Sequence, residues 1–283
     1  MARLIRASGP DGQVRCGWLV PGGVRWTEGD ALAALERGGP AGGDDPVELD
    51  DLLAPIDAPE IWAAGVTYER SRQARVAETE VADVYSLVYE ADRPELFLKD
   101  AGARRTVGPG AAIGVRADGR WTVPEPELAL VLGRRGSILG ATIGNDVTAR
   151  DIEGANPLYL PQAKIFAGAC AIGPAILTRD EWPDAFEIRC RIRAADGSIA
   201  WEGETSTAQM RRSFDELVRW LVLENPVPAG SVFLTGTGLV PPDGVALAPG
   251  DSVEIEIPPI GTLVNRVETA AGLLAEARSA VHV

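Results

Sequence analysis

Histidine and lysine are almost missing from this chain. In 283 residues there is one histidine, His282, next to last in the sequence. Imidazole dyads, Ser-His-Asp triads and histidine-rich metal centres are therefore excluded from the body of the protein. Of 27 basic residues only Lys99 and Lys164 are lysine. In a chain that uses arginine nearly everywhere else, these two mark places where a guanidinium does not serve. An ammonium is a compact point charge that can lose its proton when desolvated. The three cysteines, Cys16, Cys170 and Cys190, are odd in number and widely spaced. That pattern speaks against a disulfide framework or a zinc site and for reduced thiols in a small core role. No apolar run is long enough to span a bilayer, and "MARLIRASGPDG" lacks the apolar stretch of a secretory leader. A cytoplasmic protein that needs no membrane is expected. The net charge of −14 repels nucleic acid and anionic membrane alike. A small anionic ligand would need a local cation.

What is present reads as a β-rich α+β protein. Residues 1–57 are set apart as a small N-terminal α+β unit. "QVRCGWLV" and "GVRWTEG" are strands joined by a "PGG" turn, "DALAALERGG" is a helix with a glycine stop, and a Gly/Pro/Asp-rich connection follows. Residues 58–283 form the larger, catalytic unit. "EIWAAGVTY" is a buried strand, "ERSRQARVAETEVADVYSLVYEA" a long helical stretch, and "ELFLKD" another strand. Short strands then dominate, interrupted by one clear helix, "SFDELVRWLVLEN". Ser213 and Glu216 make a capping-box pattern at its start. Regular βαβ alternation, solenoid repeats and phosphate-binding glycine loops are not seen.

The informative polar residues begin at "VPEPELALVL", where Glu125 and Glu127 precede an apolar run. In a strand both side chains point the same way. "VEIEIPP" repeats the spacing with Glu254 and Glu256, best read as a solvated strand face, so spacing alone decides nothing. Asp146 makes the difference. It lies nineteen residues after Glu127, beyond an "RRG" turn and a return strand that would carry it back beside the glutamates. Three converging carboxylates without histidine or cysteine form an all-oxygen site for a hard cation. Mg²⁺ is expected first, Mn²⁺ and Ca²⁺ are alternatives, and Zn²⁺ is disfavoured.

Taken together, "PEPELALV", "GNDVTARDIEG", "NPLYLPQAK" and "FLTGTG" resemble the fumarylacetoacetate hydrolase family over roughly residues 58–270. The resemblance implies a mixed β-sandwich roll and a Mg²⁺ site on Glu125, Glu127 and Asp146. It also implies substrate contacts from Lys164 and the "TGTG" loop, and a homodimer or homotetramer. "GVTYERSRQAR", "DVYSLVYEADRPELFLK" and "NPLYLPQAK" look most like the branch that dehydrates 2-keto-3-deoxy-arabinonate. One departure bears on chemistry. Hydrolases of the family carry a His and a Glu after the Gly-x-x-Tyr motif to activate water; here Ser71 and Ala74 stand near those positions. Ala155 departs too, where the dehydratase branch implies an acidic residue.

The implied activity is a Mg²⁺-dependent lyase that eliminates water from a 2-keto-3-deoxy sugar acid, a small anionic 2-oxo acid. Lys164 is the candidate base for the C3 proton, and Glu95 the candidate proton donor to the leaving hydroxyl. Lys99 would neutralise the carboxylates or hold substrate. Thr235, Gly236 and Thr237 offer hydroxyls and backbone N–H groups to a carboxylate. Tyr68 and Arg72 would line the pocket from the first helix. Gln162, two residues before Lys164, would face the site if the segment were a strand. Arg150 and Asp151 would form a supporting ion pair. The alternatives are a metal-dependent C–C hydrolase or decarboxylase of a 2-oxo acid, and a non-catalytic protein that binds a small acid.

Overall fold

A computed structural model describes residues 1–8, 12–39, 52–78 and 82–280. His282 and most of the expected connection, residues 40–51, lie outside the described residues, as does the side chain of Ala74. Among the described residues no helix is long and apolar enough to cross a membrane.

The centre of the molecule is the hairpin formed by strands Pro126–Leu132 and Ile138–Asp146. Every residue of the first is buried, as are the last seven of the second. Burial on both faces explains why "PELALVL" reads as a continuous run instead of an alternation. The turn between them passes through Arg135 and Gly136, both with positive φ, at 56° and 76°.

This hairpin sits inside a ten-stranded mixed sheet. On one side Ile138–Asp146 pairs with Cys170–Thr178, which pairs with Arg3–Ser8; Val14–Val20 and Gly23–Thr27 follow at the edge. On the other side Pro126–Leu132 pairs with Val232–Leu234, then come Glu60–Gly65 and Glu95–Ala101. The N-terminal strands thus share a sheet with the larger unit. They share a core as well, since Leu4, Trp18 and Leu35 pack in one cluster with Ala129, Val131 and Ile172.

A second sheet of five strands covers the hairpin from one face. Its strand Glu187–Arg193 alternates, with Ile188, Cys190 and Ile192 buried and Glu187 and Arg189 exposed. The inward residues join Leu128, Leu130, Leu132 and Ile143 in the main core, giving a β-sandwich. The outward face is a charge ladder. Glu254 receives Arg193 and Arg191, which hold its carboxyl below the usual range, and Glu256 faces Arg189. "VEIEIPP" is therefore the solvated face its spacing predicts. The fold is β-rich α+β, as expected from the sequence.

The helical stretch after Tyr68 is two helices, Glu69–Glu78 and Ala82–Glu90, packed on each other. Helix Phe214–Leu221 begins at Ser213, whose Oγ accepts from the Glu216 N–H at 3.1 Å. Only half of the capping box forms, because the Glu216 carboxylate goes to Arg212 Nη1 at 2.6 Å. Replacing the cap by Ser213→Ala should cost about 1 kcal/mol. In thermal unfolding that lowers Tm by roughly 2–4 °C, with turnover unchanged.

Candidate active site

The hairpin register assembles the three carboxylates. Gly144 pairs with Glu127 and Asn145 with Pro126. The Asp146 N–H donates to Glu125 O at 2.9 Å, and Asn145 Oδ1 accepts from the Glu125 N–H at 3.2 Å. One carboxylate oxygen from each of Glu125, Glu127 and Asp146 lies within 4.8 Å of the others. All three residues are buried, at 3%, 1% and 1% exposure.

Buried like charges at this separation repel strongly unless compensated. Both lysines are spent here. Lys164 Nζ donates to Glu125 Oε2 at 2.8 Å, to Asp146 Oδ2 at 2.9 Å and to Thr148 Oγ1 at 2.7 Å. Lys99, wholly buried, pairs with Asp146 Oδ1 and donates to Val147 O at 3.0 Å. Arg150 Nη2 donates to Glu125 Oε1 at 2.6 Å. Glu127 is treated differently: the donor to its carboxylate is the Gly236 N–H at 2.5 Å. Burial first, then Asp146 and Glu125, push its carboxyl well above the ordinary carboxylate range. A dication at this all-oxygen cluster would supply the charge that Glu127 lacks, so the residues present fit a hard divalent ion.

A small cavity opens beside the cluster. Its wall includes Glu125, Asp146, Lys164, Glu95, Ser71 and Glu153. Glu95 thus comes to the same cavity as Lys164, and Thr237 lines it too. The Thr237 hydroxyl donates to Pro126 O at 2.9 Å, and that of Thr235 to Leu128 O at 2.9 Å. Both hydroxyls tie the "TGTG" loop to the glutamate strand. Tyr68 is buried, and burial together with Glu127 raises its phenol. Ser71 Oγ donates to Tyr68 O at 2.8 Å.

Several expectations fail on local geometry. Gln162 and Lys164 do not share a face, because Leu160–Lys164 is a short helix; Gln162 is exposed while Lys164 is buried. Arg72 is outside the cavity wall: it pairs with Glu69 and lies 5.6 Å from the Tyr89 ring. Arg150 does not pair with Asp151, which accepts from the Arg120 N–H at 2.7 Å. The two open a short helix, where consecutive side chains diverge. Ala155, marked as a departure, is exposed and outside the cavity wall. The acidic residue that reaches the cavity is Glu153, missed in the sequence. Its carboxylate lies 3.4 Å from Arg150 Nε and 3.8 Å from Lys164 Nζ. The signal was available in the i, i+3 spacing from Arg150. The cysteines are free and buried, and burial pushes the Cys170 thiol up to about 12.

Comparison with known proteins gives concordant matches. Residues 60–268 match the family described as fumarylacetoacetate (FAA) hydrolase, C-terminal. The "Probable 2-keto-3-deoxyxylonate dehydratase" of Haloferax volcanii is 53% identical over 216 residues, 76% of this chain and 74% of its own length. The 2-dehydro-3-deoxy-D-arabinonate dehydratase of Saccharolobus solfataricus is 47% identical over 223 residues, 77% of this chain and 74% of its own. A solved structure described as 2-keto-3-deoxy-D-arabinonate dehydratase complexed with magnesium and 2,5-dioxopentanoate superposes with a TM-score of 0.81. It is 38% identical, and the match covers 95% of this chain and 98% of that one.

The charge balance of the cluster can be probed directly. Lys99→Met leaves Asp146 short of one buried partner, which should cost about 3–5 kcal/mol. A lowered midpoint in urea unfolding is the expected reading.

Proposed function

The chain belongs to the fumarylacetoacetate hydrolase family, and from that premise we propose that it is a Mg²⁺-dependent hydro-lyase acting on a 2-keto-3-deoxy sugar acid. The substrate class follows from the dehydratase relatives, and the nearest specific substrate is a 2-keto-3-deoxy-pentonate, converted to 2,5-dioxopentanoate. The observation that carries the reading is the single cavity shared by the carboxylate cluster, Lys164 and Glu95.

In this reading Glu125, Glu127 and Asp146 hold the ion. Magnesium bound there would polarise the 2-oxo group of a chelating 2-oxo acid and so acidify its C3 proton. With a dication in place to balance Glu125 and Asp146, Lys164 would act as the neutral amine and take that proton, from a position fixed by Glu125, Asp146 and Thr148. Glu95 gives a proton to the C4 hydroxyl, which departs as water while the C3–C4 double bond forms. Transfer of a proton from C5 back to C3 leaves a C4–C5 enol. Ketonisation of that enol, with the hydroxyl proton moving to C4, gives the aldehyde of the product with no oxidant needed. Burial of the cluster keeps bulk water from competing for these protons. Hydrolysis lacks its activator here, since Ser71, near the histidine position, has a hydroxyl held by the Tyr68 carbonyl. Catalysis belongs to residues 58–283, and a cytoplasmic homodimer or homotetramer is part of the same proposal.

Four measurements test this. Incubation with 2-keto-3-deoxy-arabinonate and with acylpyruvates, read by mass, should show loss of water from the first and no C–C cleavage of the second. Mg²⁺ at about a hundred times its Kd should stabilise the protein by about 2.7 kcal/mol, and Glu127→Gln should abolish that stabilisation. Glu95→Gln should lower kcat by about 10²- to 10⁴-fold while keeping the Mg²⁺ effect. Lys164→Met should lose exchange of the C3 proton in deuterated water; retained exchange removes it as the base.

A further inference from the structure

Glu95 owes its place in the cavity to the residue across from it. Strands Glu60–Gly65 and Glu95–Ala101 are antiparallel, and their register sets Gly65 directly opposite Glu95. Side chains at opposed positions rise from the same face of a sheet about 5 Å apart. Here one of the two is absent, and the Glu95 side chain occupies its space. A Cβ built on Gly65 would lie 2.6 Å from Glu95 Cδ and 3.2 Å from Cγ, and closer still to Oε2. Those are its three nearest neighbours, all from one side chain.

The glycine is not there for its backbone freedom. Gly65 is absent from the residues with positive φ, whereas the next residue, Val66, has φ 52°. The two positions before it are Ala63 and Ala64, so the strand carries Cβ atoms up to this point. A glycine inside a strand, without a conformational need, marks a close approach of another group. That group is the half-buried Glu95, which lines the same cavity as Glu125, Asp146 and Lys164.

We propose that Gly65 is a positioning residue: its missing side chain is the slot that lays the Glu95 carboxylate across the strand and into the cavity. The inference rests on the proton-donor role proposed for Glu95. A methyl group at position 65 meets the far end of a flexible side chain, so Glu95 swings away and the fold stays. The metal ligands sit on the other hairpin and keep their places. The loss therefore falls on kcat, with KM and Mg²⁺ binding spared.

The test compares wild type, Gly65→Ala, Glu95→Gln and the double variant. Displacing a reacting group by about 1 Å costs up to about 10²-fold, so Gly65→Ala should lower kcat by roughly 10- to 100-fold. KM for 2-keto-3-deoxy-arabinonate and the Mg²⁺-induced rise in Tm should be unchanged. The double variant should be no slower than Glu95→Gln alone, since Gly65 acts only through that carboxylate. Wild-type turnover in Gly65→Ala, or losses that multiply in the double variant, overturns the proposal. Wild-type turnover in Glu95→Gln instead overturns the role of Glu95 and the inference with it. If Gly65→Ala unfolds early, Gly65→Ala/Glu95→Ala decides. A Tm equal to that of Glu95→Ala supports the slot, and a lower one overturns it.

Discussion

The structure depends on the cost of keeping carboxylates out of water next to one another. Glu125, Glu127, Asp146 and Glu153 are all buried, and among the described residues Lys99, Lys164 and Arg150 form ion pairs with members of this group. Unpaired, such charges would prevent folding or take up protons. Each basic group is therefore placed to divide itself among them. Lys164 serves Glu125, Asp146 and Glu153, Lys99 serves Asp146 from behind, and Arg150 bridges Glu125 and Glu153. Glu127 receives a backbone N–H where the others receive full charges. The cluster is electrostatically incomplete at that residue, and a bound cation would supply the missing charge.

The fold is arranged to hold this balance still. A hairpin buried on both faces gives the carboxylates a rigid base, because its neighbours in the sheet and the five-stranded layer leave it no room to move. The threonines of the "TGTG" loop are used on backbone carbonyls of the same strand, locking Gly236 against Glu127. Lysine scarcity also acquires a reason. Both lysines end in buried positions where a compact ammonium contacts carboxylate and neutral oxygen at once, while the guanidiniums of Arg189, Arg191 and Arg193 serve the outward charge ladder.

The helical region after Tyr68 shows how local sequence and distant contacts divide the work. The long helical stretch was legible, yet its division into two packed helices was not, since both halves carry acceptable helical patterns. Arg72 looked like an anion partner because it is basic and follows the Gly-x-x-Tyr motif. Its neighbour Glu69, one turn away, and the Tyr89 ring on the second helix claim it instead. A surface guanidinium pairs with whatever is near, and nearness here is a product of the helix pairing.

By itself the sequence determined which residue types are scarce and where the three carboxylates proposed as metal ligands lie. With one histidine, His282, no pair of imidazoles can form within one copy of this chain. The Glu-x-Glu pair, the "RRG" turn and the Asp were close enough in the chain for a hairpin to bring together, so their convergence followed from period-2 geometry and a short turn. The Ser213 cap and the wet face of "VEIEIPP" were local in the same way. Only the tertiary structure decided that Gln162 turns outward on a helix, that Arg150 reaches Glu125 and not Asp151, and that Gly65 makes room for Glu95. Those outcomes depend on segment conformation and on strand register between residues 25 to 30 positions apart, such as Gly65 and Glu95 or Glu125 and Arg150. No local periodicity encodes them, because they are settled by which elements the hydrophobic core packs side by side.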